Sequence, residues 1–302
     1  MKFSIGVDLG GTSVKTVAVT PEGETLTKAN VPFDPDESMD WAVKIRTIIE
    51  NLQRECGADS SFIGLSAPGL VAKNKRSIAR MPGRLKGLEG LNWTEFLAKA
   101  ETKVTAPVVP VLNDAHAALL GEAWLGAARG FQNVFMLTLG TGVGGAAIVN
   151  GRLLKGALGR AGHLGHISLD LDGPRDICGM PGSLEAKIGN CTIEQRTNGR
   201  FKTTHELVEA HQCGDAFASE VWLNSVRALG YAISSMINVL DPEAVIIGGG
   251  IARSGAVLFQ PLTQFVRDTE WNVGAEPVKL LPAQLGEFAG AYGAAWKSFS
   301  AK

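Results

Sequence analysis

Residues 134–149, VFMLTLGTGVGGAAIV, form an apolar run, a glycine-rich turn and a second apolar run, and few folds accommodate that grammar. Gly140, Gly142 and Gly145 match G-x-G-x-x-G, so a dinucleotide-binding fold is the first possibility to test. That fold needs a helix after the turn, with its N-terminus facing a pyrophosphate. Here the second arm runs straight into Asn150-Gly151, a two-residue hairpin signal, so it reads as a strand and the dinucleotide fold is excluded. What remains is a hairpin whose side-chain-free backbone amides, with the Thr138 and Thr141 hydroxyls, can approach a phosphate closely. Residues 3–19 repeat the pattern, with Leu9-Gly10-Gly11-Thr12 corresponding to Leu139-Gly140-Thr141-Gly142. Such a repeat is expected of a duplicated fold with two facing domains.

The composition narrows the function classes. With 45% hydrophobic and 20% charged residues in 302, the chain is globular rather than disordered, and its net charge of −1 argues against a nucleic-acid-binding surface. The N-terminus reaches Asp8 too early for a signal peptide, and no apolar run approaches about 18 residues, so no membrane association and a cytoplasmic location are expected. Four cysteines without C-x-x-C pairing suit reduced thiols.

Along the chain, Trp41, Ile45, Ile48, Ile49 and Leu52 sit at helical spacing within residues 38–56. Residues 62–71 read as a buried strand closed by Pro68-Gly69; Ser66 lacks the G-x-S-x-G setting of a nucleophile and is assigned a structural role. Residues 80–93 form a glycine-punctuated loop and 94–102 a short helix. A strand over 108–112 then delivers Asn113-Asp114 to a helix over 115–125. Helical patterns cover 204–240 with a break at Cys213-Gly214-Asp215, residues 244–251 form a buried strand entering the turn Gly248-Gly249-Gly250, and a last helix lies near 290–299.

Three glycine turns, each following a buried strand, can be placed around one polyphosphate, and the absence of G-x-x-x-x-G-K-[ST] excludes a P-loop. Asp8 either serves as a magnesium partner or merely caps its turn. Asp114 is the best candidate for a general base, with Asn113 beside it able to hydrogen-bond a polyol; an ordinary helix cap is the alternative for the pair. His163 and His166, three residues apart and followed by Glu185, suggest a ligand-binding loop. Metal binding competes with that reading, but His166 and Cys178 are too few to close a zinc site.

Taken together, these residues resemble the sugar kinase, actin and heat-shock ATPase superfamily and, within it, the ROK family of repressors, open reading frames and kinases. Asp8-Leu9-Gly10-Gly11-Thr12, with Lys15 following, resembles the first phosphate motif. Leu139-Gly140-Thr141-Gly142-Val143-Gly144-Gly145 resembles the second, and Gly248-Gly249-Gly250 the adenosine motif. Leu112-Asn113-Asp114-Ala115-His116 is similar to the segment holding the family's catalytic aspartate, Gly162-His163-Leu164-Gly165-His166 to its sugar-binding Gly-Glu-x-Gly-His, and Gly182-Ser183-Leu184-Glu185 to Gly-Cys-Leu-Glu. His163 stands where the family usually has a sugar-binding glutamate. The family's zinc cysteines fall on Asp176, Cys178 and Ser183, so no structural zinc is expected.

The resemblance implies an α/β, two-domain actin-like ATPase (ribonuclease H-like) fold with an active-site cleft between the lobes. The smaller domain would comprise residues 1–115 plus 289–302 and the larger 116–288. It further implies an ATP- and Mg²⁺-dependent hexose kinase, glucokinase first, with N-acylhexosamine or fructose as alternative acceptors and a non-catalytic sugar sensor as the rival class. Asp114 would be the base. Asn113, Asp114, His163, His166 and Glu185 would hold the sugar, while Asp8, Gly10, Gly11, Thr12, Lys15, Thr138, Gly140, Thr141, Gly142 and Gly248–Gly250 would hold the nucleotide and its metal. A homodimer is expected, and the start of the chain on the first phosphate strand, without a helix-turn-helix ahead of it, favours a kinase over a repressor.

Overall fold

The computed structural model describes residues 2–57, 62–81, 85–98, 108–272, 274 and 276–300. In chain order the strands are β1 (Ser4–Leu9), β2 (Ser13–Val19), β3 (Thr25–Pro32), β4 (Phe62–Ala67), β5 (Leu70–Val71), β6 (Ile78–Arg80), β7 (Val111–Asn113), β8 (Val134–Leu139), β9 (Val143–Val149), β10 (Arg152–Leu153), β11 (Ala244–Gly248) and β12 (Lys279–Pro282). The helices are α1 (Asp40–Glu55), α2 (Trp93–Ala98), α3 (Asp114–Leu125), α4 (Leu184–Ile188), α5 (Ile193–Arg196), α6 (Thr204–Gln212), α7 (Ala216–Leu240), α8 (Ala256–Thr269) and α9 (Ala289–Phe299). Among the described residues no helix is long and apolar enough to cross a membrane.

The duplication read from the two hairpins extends through both main sheets. One has the order β3-β2-β1-β4-β7 and the other β10-β9-β8-β11-β12. In each, the first strand pairs antiparallel with the second on one side and parallel with a later strand on the other. The turns differ by one residue: Leu9 pairs with Val14 and Leu139 with Val143.

The chain divides into two compact units, the first comprising residues 1–130, 155–161 and 284–302 and the second 131–154 and 162–283. Helix α3 lies whole within the first unit, beyond the boundary expected at residue 115, because it packs on α9.

Strand alternation organises the first unit. Ile5, Val7 and Leu9 of β1 and Ile63 and Leu65 of β4 share a buried cluster with Trp41, Ile45 and Ile49 of α1 and with Trp93. Residues of the opposite parity meet α9: Ser4 hydrogen-bonds Ser298 at 2.6 Å, and Gly6 and Gly64 lie so close that a Cβ would strike the Ala291 and Ala294 carbonyl oxygens. In the same way Gly121 of α3 and Gly293 of α9 let those two helices touch backbone to backbone. Wholly buried Glu122 pins the approach to α9 by accepting from the amides of Ala127, Gln284 and Leu285, at 2.7, 3.0 and 2.8 Å. In the second unit α7 and α8 supply Trp222, Leu229, Ile233, Leu258 and Leu262 to a cluster with Phe135, Leu137, Val245 and Ile247.

Several local expectations need correction. Strand β7 begins at Val111, later than expected, and takes in Asn113; β11 stops at Gly248, where Gly249 turns the chain with φ +88. Helix α8 and strand β12 carried no sequence expectation: Pro261 inside α8 interrupts a pattern that Leu258, Leu262 and Val266 otherwise mark. Helix α2 covers the start of the expected helix over 94–102; residues 99–102 lie outside those described, as do 82–84 of the preceding loop.

Gly64→Ala forces α9 away from the sheet and is expected to cost about 1–3 kcal/mol of stability. Urea denaturation measures this; an unchanged midpoint contradicts the close seating.

Candidate active site

The parity that points Gly6 at α9 also points Asp8 there. Gly290 leaves the room, since a Cβ on it would lie 2.7 Å from the Asp8 carboxyl carbon. Parallel pairing sets Ser66 opposite Asp8, and the Ser66 hydroxyl donates to Asp8 Oδ1 at 2.7 Å. Ser66, assigned only a structural role from sequence, thus positions a candidate site carboxylate; the signal lay in a strand register that no local pattern encodes. Burial pushes the Asp8 carboxyl up to about 6, against the Ser66 hydrogen bond; the Asp114 charge raises it further and Lys15 opposes. Asp8, Lys15 and Asp114 are therefore electrostatic neighbours.

Asp114 is the exposed first residue of α3, and its Oδ1 accepts from the Ala115 amide at 2.8 Å. Asn113 is the N-cap: its Oδ1 accepts from the Ala115 and His116 amides, while its Nδ2 donates to the Gly69 carbonyl at 3.2 Å. The helix-cap reading therefore holds for Asn113, leaving its amide one further hydrogen for a ligand. Buried His116, behind the pair, hydrogen-bonds the Ala161 carbonyl through Nε2 at 3.0 Å.

The glycine turns are selective about which amides they leave open. Gly10 donates to the Ser13 carbonyl at 3.0 Å and Gly140 to Gly142 at 2.9 Å, so those two N–H groups close the turns. Among the described residues the amides of Gly11, Thr12, Thr141 and Gly142 have no such partner. A Cβ on Gly140 or Gly250 would meet open space, as expected where a ligand approaches backbone, whereas one on Gly249 would strike the Leu139 carbonyl. Thr138 pairs with Gly248 in parallel register, which brings the second and third turns together in the second unit.

Gly142 is bare for a different reason. The Glu185 carboxylate fills the space a Cβ would need, and Glu185 Oε2 accepts from the Val143 amide at 2.9 Å. One expected sugar ligand is thereby fastened to an expected phosphate turn. The Gly140 and Thr141 carbonyls accept from the Asn190 and Cys191 amides at 3.0 and 2.7 Å, and Arg196 holds that segment through the Gly189 carbonyl and Thr192.

His163 precedes and His166 ends the short 3-10 turn Leu164–His166, which lies on β9 because Gly145 and Gly165 allow backbone contact. His166 Nδ1 stands 2.8 Å from Asp176 Oδ2. Asp176 was singled out in the sequence only as a lost cysteine. Its side chain is 2% exposed, and its Oδ1 accepts from the Cys178 and Met180 amides at 2.8 and 3.0 Å. Burial alone would raise this carboxyl, but hydrogen bonds from His166, Met180, Ser183 and Cys178 outweigh it and hold the group below its ordinary value.

His166, Asp176 and Cys178 present donor atoms within 4.8 Å of one another, a cluster that could hold a metal. The donors do not fit a closed zinc site. Two ligands of one tetrahedral zinc stand about 3.3 Å apart, whereas His166 and Asp176 are at hydrogen-bonding separation. The Ser183 hydroxyl, at the position of a fourth donor, bonds Asp176 and caps α4 through the Ala186 amide. Burial and the charges of Asp176 and Glu185 push the Cys178 thiol up, away from thiolate.

A family model described as the ROK family matches residues 4–298. The chain belongs to the ROK family. A glucokinase of Thermotoga maritima is 33% identical, covering 96% of this chain and 95% of its own length. The solved ROK hexokinase from Thermus thermophilus is similar with a TM-score of 0.82 at 31% identity, over 99% of this chain and 98% of that one. A ROK glucokinase from Streptomyces griseus, solved with glucose and AMPPNP, gives 0.79 at 28% identity over 99% and 100%. The fold is the α/β actin-like ATPase fold of ROK sugar kinases, and its two sheets share one strand order, in keeping with the duplication the repeated hairpins suggested.

Because Asp8 is raised in the folded protein, its own contribution to native stability falls as pH climbs from its ordinary 3.8 to about 6 and levels off above. Asp8→Asn is therefore expected to stabilise the ligand-free protein by about 1–3 kcal/mol at pH 7, with little difference at pH 4. Thermal unfolding across that range measures it; a gap independent of pH contradicts the assignment.

Proposed function

We propose that this ATP-dependent sugar kinase of the ROK family is a glucokinase, transferring the γ-phosphoryl group of ATP to the 6-hydroxyl of glucose with Asp114 as general base. The observation that carries the reading is the placement of Asp114. It is a carboxylate delivered by β7 to the first position of α3, exposed, and within electrostatic reach of Asp8. The Ala115 amide donates to its Oδ1 at the N-terminus of α3, where the helix dipole favours negative charge.

In this reading Asp114 accepts the hydroxyl proton as the sugar oxygen attacks phosphorus, and ADP leaves. Gly11, Thr12, Thr141 and Gly142 offer the open amides for phosphate oxygens, with Gly10 and Gly140 shaping the turns and the Thr138 hydroxyl and Lys15 ammonium adding donors. Gly250 faces open space where the adenosine end can approach, while Gly248 and Gly249 shape that turn against Met136 and the Leu139 carbonyl. Asn113, His163, His166 and Glu185 orient ring hydroxyls. Asp8, held by the Ser66 hydroxyl on Oδ1, would hold Mg²⁺, which neutralises phosphate charge when bound. The close match of glucokinases along the whole chain favours glucose over other hexoses.

Asp114→Asn is expected to retain sugar binding while sugar-dependent ADP release falls about a hundred- to ten-thousand-fold. A coupled assay with glucose, mannose, fructose, N-acetylglucosamine and N-acetylmannosamine, alongside calorimetric sugar titration, tests both base and acceptor. Near-normal turnover in the variant removes Asp114 from the role, and preference for another sugar replaces glucose.

A further inference from the structure

We infer that Asp176 takes the part of a metal in this loop: its carboxylate fixes the His166 ring in the Nδ1–H tautomer, so that Nε2 is presented as an acceptor for a sugar hydroxyl. The second half of the statement rests on the sugar-kinase reading above; the first does not.

The geometry assigns the two oxygens of Asp176 different tasks. Oδ1 takes the Cys178 and Met180 amides and so folds its own turn, an arrangement any Asx turn could have. Oδ2 does something a turn does not require: it reaches across ten residues to His166 Nδ1 at 2.8 Å. A carboxylate with N–H donors on one oxygen and the Ser183 hydroxyl bonded to it is an acceptor only, so the histidine nitrogen facing it must be the donor. A neutral imidazole carries one N–H, which leaves Nε2 with its lone pair.

The surroundings keep the carboxylate in place. Residues 167–184 leave and rejoin the body through a Ser168–Ser183 bridge, with the Leu169 amide bonded to the Gly182 carbonyl at 2.9 Å and the Leu184 amide to the Ile167 carbonyl at 3.0 Å. Lys187 closes the same stem on Asp170 at 2.8 Å. The loop is thus tied by protein hydrogen bonds at its stem, at Ser183 and at Asp176, and the histidine it orients lies at the start of the same excursion. Nothing in this scheme calls for a metal to hold His166, and the donor set refuses a closed zinc site.

Asp176→Asn is the discriminating change. The amide oxygen can keep the two turn amides, which places its NH₂ opposite His166 and makes Nδ1 the acceptor, reversing the ring. Three measurements on the full-length enzyme decide the proposal: metal content, histidine ¹⁵N shifts at pH 8 with His166 assigned by its loss in His166→Gln, and steady-state kinetics. The wild type is expected to contain well under about 0.1 zinc per chain and to show a protonated Nδ1 with an unprotonated Nε2 at His166. In Asp176→Asn the tautomer reverses and the KM for glucose rises about tenfold or more, with kcat and the KM for ATP within about threefold. In the His166→Gln background, Asp176→Asn adds less than about twofold to the glucose KM, because the two residues act as one unit.

Zinc near one per chain, or an Nε2–H tautomer in the wild type, overturns the proposal whether or not the variants fold. An unmoved glucose KM in a tautomer-reversed variant overturns the sugar contact and leaves the dyad. A wild type that phosphorylates no sugar instead overturns the function proposed above and the sugar contact with it, while metal content and tautomer still judge the dyad.

Discussion

Backbone-to-backbone seating of α9 is the constraint on which the first unit depends. Four glycines, Gly6, Gly64, Gly121 and Gly293, remove the side chains that would hold this helix off the sheet and off α3. Gly290 extends the same surface and leaves the pocket into which Asp8 turns. Glu122 fixes where the helix enters, because its buried carboxylate stays satisfied only while three amides from two segments converge on it. A carboxyl pressed against a helix and supported by one serine is raised by desolvation, which is the cost of burying it there. The proposed base, Asp114, grows from the helix that α9 clamps, so the two charged groups share a single mechanical origin.

The second unit solves a related problem with side chains. There the glycine turn is braced from behind, by the Asn190 and Cys191 amides on its carbonyls and by the Glu185 carboxylate on the amide that follows it. Arg196 secures the bracing segment; burial lowers its guanidinium to about 10, still charged at neutral pH, and it bonds Ser225 of α7 at 2.8 Å. A residue proposed to hold sugar is therefore also a strut of a turn proposed to hold phosphate. The Asp176–His166 pair supports the next stretch of the same surface by the same means, a buried carboxylate saturated with local donors.

What could be read from the chain alone was what period and turn chemistry encode. The hairpins of β1–β2 and β8–β9, the apolar stripe of α1, the break between α6 and α7 and the placement of Asp114 at the start of α3 are all local signals. The repeat of the hairpins signalled a duplication, while the strand order that the two main sheets share came only with the structure. The unread parts are long-range. Ser66 meets Asp8 through parallel register, Gly290 meets it across most of the chain, and Glu185 meets Val143 across forty-two residues, none of which leaves a trace in a window of neighbours. Helix α8 was hidden by Pro261, although its buried face keeps helical spacing. The glycines illustrate the limit well. Sequence marks Gly140 and Gly142 alike, yet one faces open space and the other makes room for a carboxylate.

The account stands or falls on the product. Phosphorus-31 NMR of the purified enzyme with ATP, Mg²⁺ and carbon-13-labelled glucose should show phosphate bonded to the C6 oxygen, formed in equal amount with ADP. Phosphate attached elsewhere on the ring, or ADP accumulating with inorganic phosphate alone, would contradict a 6-hydroxyl deprotonated by Asp114.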